Sequence, residues 1–225
     1  MEAAMPNPAL ARMVEEQIVR RGLRDPAVLD AMRSVPRAAF VRPGFEAAAY
    51  DDGPLPIGEG QTLSQPYIVA LMAEAAGLRP GARVLEVGAG SGYAAAVLAA
   101  LGAEVHAIER QPALAEAARM RLARLGYGRV ALRTGDGSAG WPEAAPFDAI
   151  LVSAGAPAVP RALKAQLALG GRLVAPVGPA GAQTLVVLTR RGADLYAEED
   201  RGPVSFVPLI GAEGWPEEGA WPGPA

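Results

Sequence analysis

The chain has 225 residues, 51% hydrophobic and 20% charged, enough apolar material for one large α/β domain with small additions. Its formal net charge of −3 and pI near 5.3 argue against a broad electrostatic footprint for nucleic acid. The lack of cysteine excludes disulfides, thiolate nucleophiles and cysteine-ligated metals, and the one histidine, His106, falls inside an alternating strand pattern, so neither a metal centre nor a Ser-His-Asp triad is expected.

In chain order, Pro8 to Gly22 has helical character, with Leu10, Met13, Val14, Gln17 and Ile18 near one face, and Pro26 to Val35 reads as a second short helix. Arg42 to Gln65 is a glycine- and proline-rich connection, long enough to suggest a functional segment. Pro66 to Ala76 reads as a helix with proline in its first turn and Gly77 near its end. Strands are then expected near Arg83–Val87, Glu104–Glu109, Val130–Thr134, Phe147–Ser153 and Arg172–Val177, with helices through Tyr93–Leu101, Pro112–Leu125 and Pro160–Leu167. This alternation predicts an α/β fold with a doubly wound, mostly parallel sheet. Gln183–Arg190 and Pro203–Leu209 are two further β-prone runs, and Arg190-Arg191-Gly192-Ala193 suggests a hairpin turn and a late antiparallel addition. The stretch from Gly211 is rich in Gly, Pro and Glu and carries Trp215 and Trp221; disorder and docking by the tryptophans both stay open.

The division expected is therefore 1–78 for N-terminal helices and a covering loop, 79–210 for a ligand-binding core, and 211–225 for a tail. No basic leader followed by a long apolar stretch opens the sequence and no apolar run is long enough to cross a bilayer, so a cytoplasmic protein without a membrane partner is expected. Asn7 is the sole asparagine; scarce Asn and Cys fit a thermophile, and a GC-rich genome would equally favour Ala, Arg, Gly and Pro.

Val84-Leu85-Glu86-Val87-Gly88-Ala89-Gly90-Ser91-Gly92-Tyr93 joins a strand to a helix through three alternating glycines. Gly88, Gly90 and Gly92 let the backbone turn sharply and approach a ligand closely. Tyr93 stands where a dinucleotide fingerprint wants a small residue, which disfavours a pyrophosphate. Glu109 follows the first glycine by about 20 residues, where an acid can accept from ribose hydroxyls. S-adenosylmethionine, a nucleoside without phosphate, fits: its carboxylate against the loop's N–H groups, Glu86 near its ammonium, Glu109 on its ribose, and Asp136-Gly137 framing adenine. Plainer readings exist: Asp136-Gly137 is also a common turn pair, Glu109 could favour the N-terminus of the Pro112 helix, and Glu86 could be a strand-end surface acid.

The segment Leu55-Pro56-Ile57-Gly58-Glu59-Gly60-Gln61-Thr62-Leu63-Ser64-Gln65-Pro66-Tyr67-Ile68-Val69-Ala70 resembles the signature of the protein-L-isoaspartate (D-aspartate) O-methyltransferases. Val84–Tyr93, Gly135-Asp136-Gly137, Phe147–Pro157, Gly170–Gly178 and Phe206-Val207-Pro208-Leu209 are similar to that family's later blocks in the same order. The glycine loop is common to many methyltransferases; the Gly-Gln-Thr-Leu-Ser-Gln-Pro block is the diagnostic part. Leu63 stands where isoleucine is frequent and Tyr67 where some members have histidine, and neither removes a group the chemistry requires. The resemblance implies a Rossmann-like class I fold and a repair enzyme that methylates the α-carboxyl of L-isoaspartyl residues in damaged proteins and peptides, after which the ester collapses to a succinimide. It also implies that Ser64 is the active-site serine and that Thr62, Leu63 and Gln65 shape the pocket. Ser64 stands just before Pro66, so helix capping is its plainer role. Ser153 and Ala154 are expected to line the pocket or simply to end a strand. Val207, Pro208 and Leu209 either border the peptide groove or form an edge strand. No metal is expected, and a monomer is. The rival readings are a methyltransferase for nucleic acid or a small molecule, an NAD-type dehydrogenase, and a binding module without turnover. Against the first, Ser153-Ala154-Gly155-Ala156 stands where adenine-amino enzymes carry an Asn/Asp-Pro-Pro-aromatic motif.

Overall fold

In the computed structural model, which describes residues 7–217, strands β1 (Leu55–Gly58) and β2 (Gln61–Leu63) form an antiparallel hairpin. Strands β3 (Arg83–Val87), β4 (Glu104–Glu109), β5 (Ala131–Thr134), β6 (Phe147–Val152), β7 (Leu167–Val177), β8 (Gln183–Arg190) and β9 (Tyr196–Val204) form one sheet in the order β5-β4-β3-β6-β7-β8-β9. The five strands β3 to β7 run parallel, while β8 and β9 are antiparallel. The α-helices are α1 (Pro8–Met13), α2 (Pro26–Ser34), α3 (Pro66–Ala76), α4 (Tyr93–Ala100), α5 (Pro112–Arg124) and α6 (Arg161–Ala165). Parallel strands need crossover connections that cover both faces of the sheet, which is why the central strands β3 and β6 are apolar on both sides, while the edge strand β5 is half exposed. Val84, Leu151 and Val174 join a core shared with α1 to α5, and their neighbours Leu85, Ile150 and Leu173 join a second core with Leu163 of α6.

Local chemistry sets the helix ends. The Asn7 carboxamide accepts from Ala9 and Leu10 N–H, and the Asp25 carboxylate from Ala27 and Val28 N–H, so α1 and α2 start at capped prolines. α3 stops at Gly77, whose φ of 62° is left-handed. α1 continues as a π-helical turn, Val14–Val19, that buries Val14 and Ile18.

Three expectations need correction. The connection 42–65 is not irregular throughout: it holds a 3-10 turn, Ala47–Tyr50, and the β1–β2 hairpin. Helix α6 is shorter than expected because Leu167, fully buried, already pairs with Phe147 as the first residue of β7. The last strand is Tyr196–Val204 and not Pro203–Leu209. An edge strand needs little apolar content, and β9 carries the exposed run Glu198-Glu199-Asp200, whose charge also discourages pairing with another chain. Residues 206–210 instead leave the sheet and cross its end. Val207 O accepts from Gly155 N–H and Leu209 N–H donates to Gly155 O, both at 2.8 Å. Among the described residues no helix is long and apolar enough to cross a membrane. Trp221 and residues 218–225 lie outside the described part of the chain.

Candidate active site

The carboxyl ends of β5, β4, β3 and β6 lie side by side, and each carries or leads directly into a polar residue. Asp136 follows β5, Glu109 ends β4, Glu86 is in β3 beside the glycine loop, and Ser153 follows β6. Open α/β sheets bind ligands at such ends, where neighbouring connections diverge. Gly88, Gly90 and Gly92 all have positive φ, 86°, 53° and 87°, so the loop needs glycine at each. Its N–H groups are mostly committed within the chain: Gly88 and Ala89 donate to Ile108 O, Gly92 to Ala89 O, and Gly90 to Glu109 Oε2 at 2.7 Å. The expectation that a ligand carboxylate lies on these N–H groups therefore narrows to the uncapped first turn of α4, whose N-cap, Gly92, supplies no side chain.

Glu86 is buried, 1% exposed, and its Oε2 has no hydrogen-bond partner among the described residues. Burial, reinforced by the nearby Glu109 charge, pushes its carboxyl well above the usual carboxylate range. It is not a surface acid. Glu109 accepts from Gly90 N–H and, through Oε1, from Gln111 N–H at 2.8 Å, tying the loop to the start of α5. One cavity is lined by Ser64, Glu86, Gly90, Tyr93, Ala94 and Ser153, among others, with Thr62 and Leu63 at its edge. The Ser64 hydroxyl does not cap α3: the cap position is held by Gln65, without a side-chain bond.

A second cavity adjoins the first through Gly88, Gly90 and Ser153. Its walls include Ile57, Glu109, Gly137, Ala154, Val207 and Pro208, with Leu209 among them. Gly137 has no room for a side chain: a Cβ there would fall 2.4 Å from Val87 Cγ1. Val207, Pro208 and Leu209 thus wall the cavity on the Glu109 side of the loop rather than the Ser64 side. Gln65 turns away from both cavities and donates to Asp52 Oδ1 at 2.6 Å. Asp136 is bonded inside the chain through both oxygens. Oδ1 accepts from Ser138 N–H and Oγ–H at 2.8 and 2.7 Å, and Oδ2 from Ala212 N–H at 2.8 Å. Burial alone would raise this carboxyl, but those bonds and Arg110 outweigh it and hold it below the ordinary aspartate value.

The same segment is fastened at several further points. Glu213 N–H donates to Ser138 Oγ, Trp215 Nε1–H to Gly155 O at 3.1 Å, and Arg110 pairs with Glu217. Of the two tail tryptophans, Trp215 is docked. Sequence reasoning also missed Ile57, Arg110 and Gln111 in the second cavity. Arg110 and Gln111 directly follow Glu109 and could have been found by extending that strand end; Ile57 could not, because nothing in the sequence aims the hairpin at the loop. His106 lies against Trp141 and Phe147, away from both cavities.

The residues fit S-adenosylmethionine. A buried carboxylate oxygen without a partner suits a ligand with a cationic amino-acid end, and a Cβ at Gly90 would stand 3.0 Å from Ile57 Cδ1, so glycine lets the hairpin pack closely over the loop.

Comparison with known proteins places this site in context. The family profile described as Protein-L-isoaspartate(D-aspartate) O-methyltransferase matches residues 9–214. A protein-L-isoaspartate O-methyltransferase of Methylorubrum populi is 69% identical over 206 residues, 92% of this chain and 97% of the relative. One from Rhodopseudomonas palustris is 61% identical over 205 residues, covering 91% and 84%. Among solved structures, a Plasmodium falciparum protein assigned as the same enzyme, in complex with S-adenosyl-L-homocysteine, is 26% identical, covers 89% of this chain and 98% of that one, and has a TM-score of 0.77. With a profile match across nearly the whole chain and relatives this similar, the chain belongs to the protein-L-isoaspartate (D-aspartate) O-methyltransferase family.

Proposed function

We propose that the joined cavities are where a methyl group passes from S-adenosylmethionine to the α-carboxyl of L-isoaspartyl residues in damaged proteins and peptides. The observation that carries this reading is the meeting of Ser64, Glu86 and the first turn of α4 in one cavity, in a member of this family. When bound, S-adenosylmethionine supplies a methyl group on a sulfonium, which leaves with the C–S electron pair as the new O–CH3 bond forms.

The acceptor is a carboxylate with a reference pKa near 4, ionised at neutral pH, so no side chain has to remove a proton. What remains for the chain is alignment and exclusion of water. Holding acceptor and methyl in line is worth up to roughly 7–11 kcal/mol in favourable cases. The Ser64 hydroxyl donates to one carboxylate oxygen and leaves the other free to attack. Leu63 and Val69, both buried beside it, strip water from that oxygen. Thr62, Ser153 and Ala154 shape the walls. Glu86, in its ionised form, holds the ammonium end of the cofactor, Glu109 accepts from the ribose hydroxyls, and Gly137 borders adenine, with Asp136 behind it holding the turn through Ser138 and Ala212. Val207, Pro208 and Leu209 close the cofactor side and continue toward the peptide, and Gln65 acts at one remove, by fixing the loop through Asp52.

In this reading residues 1–78 cover the site, 79–210 form the cofactor-binding core, and 211–225 form a tail whose first residues brace Asp136. In the same reading the protein is a cytoplasmic monomer without a membrane partner, and its net charge of −3 disfavours a broad nucleic-acid footprint. The test is methyl transfer from labelled S-adenosylmethionine to two synthetic peptides that differ only in isoaspartate or aspartate at one position. Base-labile label on the isoaspartyl peptide alone is expected. Label on neither, with cofactor still bound, would overturn the reading.

A further inference from the structure

Arg37 opens a 3-10 turn, Arg37–Phe40, and is fully buried. Its Nε donates to Ala49 O at 2.8 Å and its Nη2 to Ser64 O at 2.7 Å, while Nη1 has no partner among the described residues. The guanidinium carbon lies 4.9 Å from the ring centroid of Tyr93, which lines the cavity that holds Ser64 and Glu86. The ion pairs among the described residues join partly exposed side chains, and Arg37 is in none of them. Burial lowers its affinity for its proton, but an arginine keeps its charge inside proteins. A buried charge without a counter-ion is costly, and carbonyl dipoles and one ring face offset only part of that cost.

The reaction brings an anion to the far side of the very residue that Arg37 grips. We infer that Arg37 is a positioning residue and the resident counter-charge for the acceptor: its Nη2 fixes the Ser64 backbone, and its positive field favours an anionic over a neutral group at the Ser64 hydroxyl. This rests on the reading of Ser64 as the acceptor-side residue. It explains why the chain keeps an arginine where a neutral donor could hold the same two carbonyls. The field at Ser64 selects for the ionised carboxylate and so for a peptide that needs no base.

The test compares an isoaspartyl peptide with its α-carboxamide counterpart, each binding competitively to the enzyme saturated with S-adenosylhomocysteine. Wild-type protein is expected to prefer the carboxylate, and Arg37→Met to reduce that preference roughly fivefold or more, weakening the carboxylate far more than the carboxamide and binding the cofactor as wild type does. Arg37→Lys, which keeps the charge and loses the forked geometry, is expected to keep the preference and lower kcat. Equal weakening of both peptides in Arg37→Met would mean a merely structural role and overturn the inference, as would an unchanged preference. Should Arg37→Met not fold, loss of the preference in a folded Arg37→Lys protein overturns it. Ser64→Ala, run in parallel, separates the two claims: unchanged turnover there refutes the reading of the site, whereas a defect there with a normal Arg37→Met refutes only the role of Arg37.

Discussion

Replacing Glu86 by glutamine should change cofactor affinity and stability in opposite directions. In the free protein Glu86 is buried, its Oε2 has no partner, and burial together with Glu109 raises its carboxyl well above the ordinary range. For a group raised on folding, the stabilising contribution is fully present below the unfolded value and is lost as pH rises through the folded one. Glu86→Gln should therefore leave stability unchanged in acid and protect the free protein increasingly as pH rises from that range. With a cationic ligand the sign reverses. The ionised carboxylate makes a charge-assisted hydrogen bond worth about 1.5–3 kcal/mol that glutamine lacks, so affinity for S-adenosylmethionine should fall roughly ten- to a hundredfold. Because the ligand favours ionised Glu86, binding should release a proton over the pH range in which Glu86 of the free protein titrates, seen by titration calorimetry in two buffers of different ionisation enthalpy at several pH values. The variant should show no such buffer dependence attributable to Glu86. Equal affinities and equal proton release in the two proteins would refute the placement of Glu86 at the cationic end of the ligand.

Three further outcomes are expected. Ser64→Ala should lower kcat/KM for an isoaspartyl peptide about ten- to a hundredfold, the loss of one hydrogen bond to a charged group, with cofactor affinity unchanged by calorimetry. Gly137→Ala would press a methyl group to 2.4 Å from Val87 Cγ1 and should cost about 1–3 kcal/mol in urea unfolding, with the damage concentrated at the second cavity. Asp136 is held below its ordinary value, so its hold on Ala212 should persist above the unfolded carboxyl range and be lost as pH falls through the folded value. Asp136→Asn should lower the protection factor of the Ala212 amide at neutral pH and remove the acid dependence of that protection.

The strand ends that carry the site are readable because period and order are local. An apolar run ending at Glu86, another ending at Glu109, and turn residues at Asp136-Gly137 need no knowledge of tertiary contacts. The β1–β2 hairpin is not readable in that way. Its strands are four and three residues long, Pro56 interrupts the first, and Glu59 takes a positive φ of 52°, so neither alternation nor turn preference announces it. Arg37 is invisible for a different reason: an arginine between two apolar segments looks like any surface arginine until the Ala49 and Ser64 carbonyls are folded against it. β9 misleads because its polar edge reads as a loop, while Phe206-Val207-Pro208-Leu209 looks like a strand and is in fact the crossing segment over Gly155. That Ala212 bonds Asp136 and Glu213 bonds Ser138 is a pair of contacts across more than seventy positions, which no local pattern encodes.

That crossing segment has a consequence for synthesis. The glycine loop, its acids and Ser64 are all translated before residue 154, and chains tend to fold from the N-terminal side as they emerge. Yet one wall of the second cavity is Val207–Ile210, and the brace on Asp136 comes later still. A nascent chain can thus complete five parallel strands and still leave that cavity open on one side. The closing wall of that cavity, and the brace behind it, therefore arrive only with the last tenth of the described chain.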